Sequence, residues 1–309
     1  MKFIFVGFFA VSTAFGIDFK NFHSQAQIND YLKQMTQENP TLVRFERLGE
    51  SDKNREINYI LMTKANPATA PAIYLNGTHH GNEKSSTETI LALIDTFLSQ
   101  KDTPEFKALL EQYVFIFQPL VNADGHAANT REDANGRDPN RDYNYPGHEE
   151  SQSFKTKGIR LVREVLDKYH VKAAVAYHSG MEGVLWPWCA TSAPTSIQNI
   201  FHTLSKLSAQ AMGMDYYVQS YSDYPSDGEF IDYVFMKHET LGVTFEVSNA
   251  GNPSTSDLDR VVKRAVQGTL AFIRGVRDLH VGRLALELAP DRTHAGFNPL
   301  FVRLGRKVE

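Results

Sequence analysis

The 309-residue chain has one cysteine, Cys189. That excludes an intrachain disulfide framework and a cysteine-ligated zinc finger. Basic charge is also in short supply: 32 Lys and Arg stand against 36 Asp and Glu, for a net charge of -4, and no basic stripe stands out. Nucleic acid is therefore not an expected partner. The chain lacks an apolar stretch of the ~20 residues that a bilayer-spanning helix requires. It also lacks an internal repeat, a low-complexity tract and a long Pro/Gly linker. With 42% hydrophobic and 22% charged residues, the composition suits one large globular domain or two small ones.

The first residues read as an export signal spanning 1–16. Lys2 supplies a positive start, Phe3 to Phe15 is almost wholly apolar or small, and Ala14-Phe15-Gly16 places small residues where a signal peptidase reads. The processed chain is then expected to start near Ile17. An exported protein with a single cysteine fits a bacterial periplasm or medium. Asn76-Gly77-Thr78 is a formal glycosylation sequon expected to be unused.

Helical and strand patterns alternate along the rest. The spacing predicts helices over Ala26–Glu38, Ser86–Leu98, Ser153–Tyr169, Thr195–Met212 and Leu258–Leu279. Strands are expected at Val43–Leu48, Ile57–Thr63, Ala72–Leu75, Tyr113–Gln118, Ala173–His178, Tyr216–Ser220 and Val243–Val247. Asn122 to Glu150 is a polar loop rich in Asn, Asp, Gly and Arg, and a loop of such length inside a compact domain is usually functional. This alternation argues for an α/β sheet with helices on both faces. In such sheets ligands bind beyond the carboxyl ends of the strands. The segment 280–309 differs: Arg283–Leu288 and Leu300–Leu304 are compatible with two strands of a small β-hairpin, the alternative being a disordered end.

His80-Gly81-Asn82-Glu83 follows one apolar run, and His178 ends another. Two imidazoles and a carboxylate at strand ends match the donor set of a catalytic zinc, which takes three protein ligands and leaves the fourth position to water. His79 and His80 compete for the first ligand. Only His80 has a carboxylate three residues on, a spacing that brings both side chains to one face.

The loop between them makes the pattern specific. It reads Asn122-Ala123-Asp124-Gly125, then Arg131 through Asn135-Gly136-Arg137-Asp138-Pro139-Asn140-Arg141-Asp142-Tyr143. With HxxE before it, His178-Ser179 after it and Thr244-Phe245-Glu246 near the end, the chain resembles the zinc carboxypeptidase family of the carboxypeptidase A type. Tyr224 precedes Asp232 by eight residues and Asp232 precedes Glu246 by fourteen, both as in that family. The resemblance runs from about Asn21 to Leu279, so the catalytic domain is expected at 17–279, with no room for an activation prodomain. Pro139, Asp142 and Arg137 depart from the family pattern, and the last two are expected to alter the electrostatics at the edge of the site.

The resemblance implies a mixed, mostly parallel twisted sheet and one Zn2+ per chain held by His80, Glu83 and His178. It implies Glu246 as general base and Arg131 as the group stabilising the tetrahedral oxygen. Asn140 and Arg141 would hold a substrate's terminal carboxylate, with Tyr224 closing over it. A monomer acting on peptide or protein C-termini is expected. Ile231 corresponds to the floor of the side-chain pocket and suits an apolar or aromatic terminal residue. Glu229 and Asp227 nearby would instead attract Lys, Arg or a cell-wall diamino acid, and apolar residues are slightly favoured. The rival on the same fold is a peptidoglycan peptide carboxypeptidase or amidase. A catalytically dead binding module is disfavoured because no ligand or base is missing.

Overall fold

The computed structural model describes residues 21–284, together with 19 and 286. The expected signal segment and the strand at Leu300–Leu304 lie outside the described residues, as does half of Arg283–Leu288. In chain order the elements are α1 (Gln25–Glu38), β1 (Val43–Glu50), β2 (Glu56–Met62), β3 (Ala72–Gly77), α2 (Ser85–Gln100), α3 (Pro104–Gln112), β4 (Val114–Gln118), α4 (Ala123–Ala128), α5 (Lys157–Lys168), β5 (Val171–His178), β6 (Met181–Trp186), α6 (Gln198–Ala211), β7 (Tyr217–Gln219), α7 (Ser220–Asp223), α8 (Phe230–His238), β8 (Leu241–Ser248) and α9 (Thr255–His280).

The strands form one eight-stranded sheet in the order β1-β2-β4-β3-β5-β8-β6-β7. Its centre, β4-β3-β5-β8, is parallel. The β1–β2 pair joins β4 antiparallel on one side, and the parallel β6–β7 pair joins β8 antiparallel on the other. The expected mixed, mostly parallel sheet is what the chain forms.

Parallel strands buried on both faces read as continuous apolar runs, and β3 and β4 show why. Ile73 and Leu75 of β3, with Phe115 and Phe117 of β4, enter a core shared with α1, α2, α6 and α9. Tyr74 of β3, with Val114 and Ile116 of β4, enters a second core on the opposite face with α5 and α8. Strand periodicity of two thus sorts neighbouring residues between two cores. Asn76 is fully buried in β3, so its glycosylation sequon is inaccessible in the folded chain.

Several elements differ from the sequence reading. The long polar segment contains α4 and a 3-10 turn at Pro139–Arg141, and a second 3-10 turn, Glu150–Gln152, begins at its end. Helices α3, α7 and α8 and strand β6 were not among the expected elements. The helix expected from Ser153 starts only at Lys157. The cause lies in Asp142, whose carboxylate accepts hydrogen bonds from the backbone N–H of Lys155 (3.0 Å) and Thr156 (2.6 Å) and from the Thr156 hydroxyl. Its carboxylate therefore anchors the start of α5. Replacing Asp142 with Ala should cost about 1–2 kcal/mol, the usual range for losing a helix-start acceptor. Urea unfolding measures this directly, and unchanged stability would remove Asp142 from that role.

Candidate metal centre

The sheet register fixes the site. In the parallel array Gly77 lies beside Tyr177, and His178 lies beside Glu246. Three adjacent strands therefore end level with one another. The loop after β3 is held tightly. Thr78 takes a positive φ of 60°, and its hydroxyl lies 2.9 Å from Ser86 Oγ and 2.6 Å from Thr87 Oγ1. Gly81 packs so closely on α4 that an added Cβ would lie 1.9 Å from the Gly125 carbonyl carbon, so no larger residue fits. Asn122 ties the parts together: its Nδ2 donates to the His79 and Glu132 carbonyls (both 3.1 Å) and its Oδ1 accepts from Gly125 N–H (2.9 Å).

Within this frame His80, Glu83 and His178 converge, all three buried. His80 Nδ1 lies 2.7 Å from Glu83 Oε1, His178 Nδ1 lies 2.9 Å from Glu83 Oε2, and the two Nδ1 atoms are 3.2 Å apart. Ser179 N–H donates to Glu83 Oε2 (3.1 Å) and steadies the carboxylate. Each residue offers one donor atom within 4.8 Å of the others, an arrangement that could hold a metal ion. Two imidazole nitrogens and a carboxylate oxygen suit zinc.

Asp138 was not singled out from sequence, although it lies in the matched loop. Its Oδ1 accepts from His80 Nε2 (3.0 Å), which leaves Nδ1 to face the centre. Such carboxylate–histidine pairs orient a ligand and raise its basicity. Burial opposes the charge on His80, but its hydrogen bonds to Asp138 and Glu83 outweigh this and push the imidazole up to about 9 in the metal-free chain. Metal uptake must displace that proton, so affinity rises with pH through this range. His79, the competing histidine, faces elsewhere. Its Nε2 lies 2.8 Å from Tyr143 Oη, and its ring stacks on His178 with centroids 5.3 Å apart.

Around the centre, Arg131 Nε donates to Asp138 Oδ2 (2.9 Å) and its Nη1 reaches within 3.2 Å of His80 Nδ1. Glu246 Oε2 is buried with no protein partner. Leaving such a group unpaired ordinarily costs roughly 1–3 kcal/mol. Burial, reinforced by the nearby Glu83 carboxylate, raises the Glu246 carboxyl well above the ordinary range in the metal-free chain.

Farther out, Asn140 Oδ1 accepts from Phe230 N–H (3.0 Å). Arg141 Nη2 donates to Tyr224 Oη (2.6 Å), and its guanidinium sits 5.7 Å from the centre of that ring. Tyr224 is 51% exposed. Ile231, by contrast, has no accessible surface and packs with Val234 under Gly242. The structure thus gathers His80, Glu83 and His178 with Arg131 beside them, pairs Arg141 with Tyr224 and Glu229, and leaves Ile231 with no accessible surface.

The ligand choice can be tested by metal content. His80→Ala should lose zinc while His79→Ala keeps it, and Asp138→Asn should weaken zinc binding by about 10- to 100-fold. The reverse order for the two histidines would overturn the assignment.

Comparisons with known proteins place this geometry. A family model described as "Zinc carboxypeptidase" matches residues 28–268. The chain is 24% identical to "Carboxypeptidase B" of Astacus astacus over 206 residues, covering 57% of this chain and 67% of that protein. It is 23% identical to "Zinc carboxypeptidase A 1" of Anopheles gambiae, covering 76% of this chain and 62% of that protein. The chain thus spans about two thirds of the length of these relatives. The crystal structure of carboxypeptidase A from Helicoverpa armigera superposes with a TM-score of 0.74 at 18% identity, covering 84% of this chain and 74% of that one. Zn2+ is the metal of this family, and the donor set described above fits it. The chain belongs to the zinc carboxypeptidase family.

Proposed function

We propose that this chain is an exported zinc-dependent carboxypeptidase that hydrolyses the C-terminal peptide bond of peptides and proteins. The carrying observation is the level placement of His80, Glu83 and His178 beside a buried, unpartnered Glu246 oxygen. When bound, zinc would lower the pKa of a water molecule to ~7 and polarise the scissile carbonyl.

The protein's own groups do the rest. Glu246 takes the proton from the attacking water and delivers it to the departing amine. Such acid–base work typically contributes ~10² to 10⁴ in rate. Its raised carboxyl fits a group that must both accept and release a proton. Arg131 reaches to the edge of the ligand cluster and donates to the oxygen that gains charge in the tetrahedral species. Losing one such donor typically costs roughly 3–4 kcal/mol.

Asn140 and Arg141 receive the terminal carboxylate, which a planar guanidinium can bind through two parallel hydrogen bonds. That contact restricts the enzyme to chain ends. Tyr224 hydrogen-bonds Arg141 in the free protein and closes over the bound end. Export rests on the reading of residues 1–16. Among the described residues no helix is long and apolar enough to cross a membrane. Nothing in the site favours the peptidoglycan alternative.

Glu246→Gln should abolish turnover, lowering kcat by at least about 100-fold, while zinc content stays at the wild-type level. A zinc-loaded variant that retained full activity would sink the general-base assignment.

A further inference from the structure

The chain carries four pairs in which Asn or Asp precedes glycine: Asn76-Gly77, Asp124-Gly125, Asn135-Gly136 and Asp227-Gly228. In such a pair no side chain shields the glycine nitrogen, which can attack the preceding side-chain carbonyl carbon. Three of the four are closed to this by packing. Asn76 is fully buried in β3, and a Cβ on Gly77 would lie 3.0 Å from the Ser86 carbonyl oxygen. Asp124 is buried, its carboxylate accepting from Ser51 Oγ (2.8 Å) and Lys53 N–H (3.1 Å), and a Cβ on Gly125 would lie 2.4 Å from Asn122 Nδ2. A Cβ on Gly228 would lie 2.5 Å from the Arg141 carbonyl oxygen, so those two segments touch main chain to main chain. Of the four, Asn135-Gly136 alone is open. Both residues are exposed, and no atom beyond the chain neighbours lies within 4 Å of a Cβ built on Gly136.

Asn135-Gly136 is the tip of a tight turn. Asp133 Oδ1 accepts from the N–H of Asn135 (2.8 Å) and of Arg137 (2.9 Å), and Asp133 N–H donates to the Arg137 carbonyl (2.8 Å). Gly136 takes a φ of +73° and donates its N–H to the Asp133 carbonyl at 3.2 Å, the longest of these bonds. That bond slows attack, but an exposed tip opens locally with little free energy. The turn also joins the two members of an ion pair. Arg131, four residues before Asn135, approaches Oδ2 of Asp138, three residues after it, through Nε (2.9 Å) and Nη2 (2.8 Å). Asp138 Oδ1 accepts from the ligand His80. A change of backbone length at Asn135 is therefore felt by the carboxylate that orients a metal ligand.

We propose that Asn135 is a site of spontaneous deamidation, and that its β-linked product loosens the hold of Asp138 on His80. The Gly136 nitrogen bonds to Asn135 Cγ, and its proton leaves with the side-chain amide as ammonia, closing a five-membered succinimide. Water then opens the ring, so that asparagine and water become an aspartyl residue and ammonia, with no oxidant or reductant. Opening at the side-chain carbonyl gives ordinary aspartate. Opening at the main-chain carbonyl routes the backbone through the former side chain and lengthens it by one methylene. The new carboxylate also stands near Asp133 and repels it. Neither step depends on which peptide the enzyme cleaves.

The test incubates folded, zinc-loaded protein in warm, mildly alkaline buffer and follows its peptide map by mass. The Asn135 peptide should gain one mass unit and score for β-linked aspartate, while the Asn76 peptide stays unchanged. In the urea-unfolded chain both should react, which would show that packing protects Asn76. Asn135 left intact in the folded protein, or both sites reacting alike there, would overturn the assignment. The consequence is read from zinc release to a colorimetric chelator. Aged wild type should release zinc on the order of 10-fold faster than fresh protein, the low end of what losing an outer-shell partner does to metal affinity. Asn135→Ser, aged in parallel, should release it at the fresh rate, since serine cannot form the ring. Freshly prepared Asn135→Asp carries the charge without the added methylene and should also release at the fresh rate. Equal release from aged and fresh wild type, or fast release from fresh Asn135→Asp, would overturn the link to backbone length.

Discussion

The level ending of β3, β5 and β8 is the constraint from which the site follows. Parallel neighbours fixed in register cannot slip without moving every side chain to the opposite face. That register puts His178 beside Glu246 and sets the loop after β3 against the same edge. The loop's shape depends in turn on packing that admits no alternative, with Gly81 against Gly125 and Asn122 bonded to three backbone groups. Ligand positions are thus a consequence of sheet geometry and two tight backbone contacts. They do not depend on long, flexible side chains reaching inward.

A second theme is pairing. His80 is oriented by Asp138, Glu83 by Ser179 N–H, Arg131 by Asp138 and Arg141 by Glu229. Asp138 serves two of these partners at once and links the metal ligands to the arginine beside them. Such prior ordering lowers the entropic and solvent reorganisation demanded when a reaction begins. It also means that charge entering the site meets groups already compensated, so the net charge of a ligand matters as well as its shape. Glu246 Oε2 and His178 Nε2 stand apart: among the described residues, each is a buried atom with no protein partner.

Much of this was legible in the sequence because it was carried by local pattern. The apolar runs of β3, β4 and β5 announced buried parallel strands, and His80 with Glu83 announced a ligand pair. The matched loop located Arg131, Asn140 and Arg141. What escaped depended on contacts between distant segments. Asp138 looked like one more loop acid until the fold brought it to His80 Nε2. Asp142 was expected to alter the electrostatics at the site's edge, and the fold adds a second part for it, its carboxylate anchoring the start of α5. Ile231 was assigned to a pocket floor from its position, and only the packing of α8 on β8 shows it sealed beneath Gly242. Glu229 stood among the site candidates, but its pairing with Arg141 required the close approach at Gly228, which no periodicity reveals.

The central claim is metal-dependent removal of single residues from peptide C-termini. It is tested most directly by incubating the zinc-loaded protein with a mixed peptide library, with and without a chelator, and identifying the products by mass. The account predicts loss of one C-terminal residue at a time, stopped by the chelator and restored by added zinc. Internal cleavage, release from the amino end, or release that the chelator leaves untouched would contradict it.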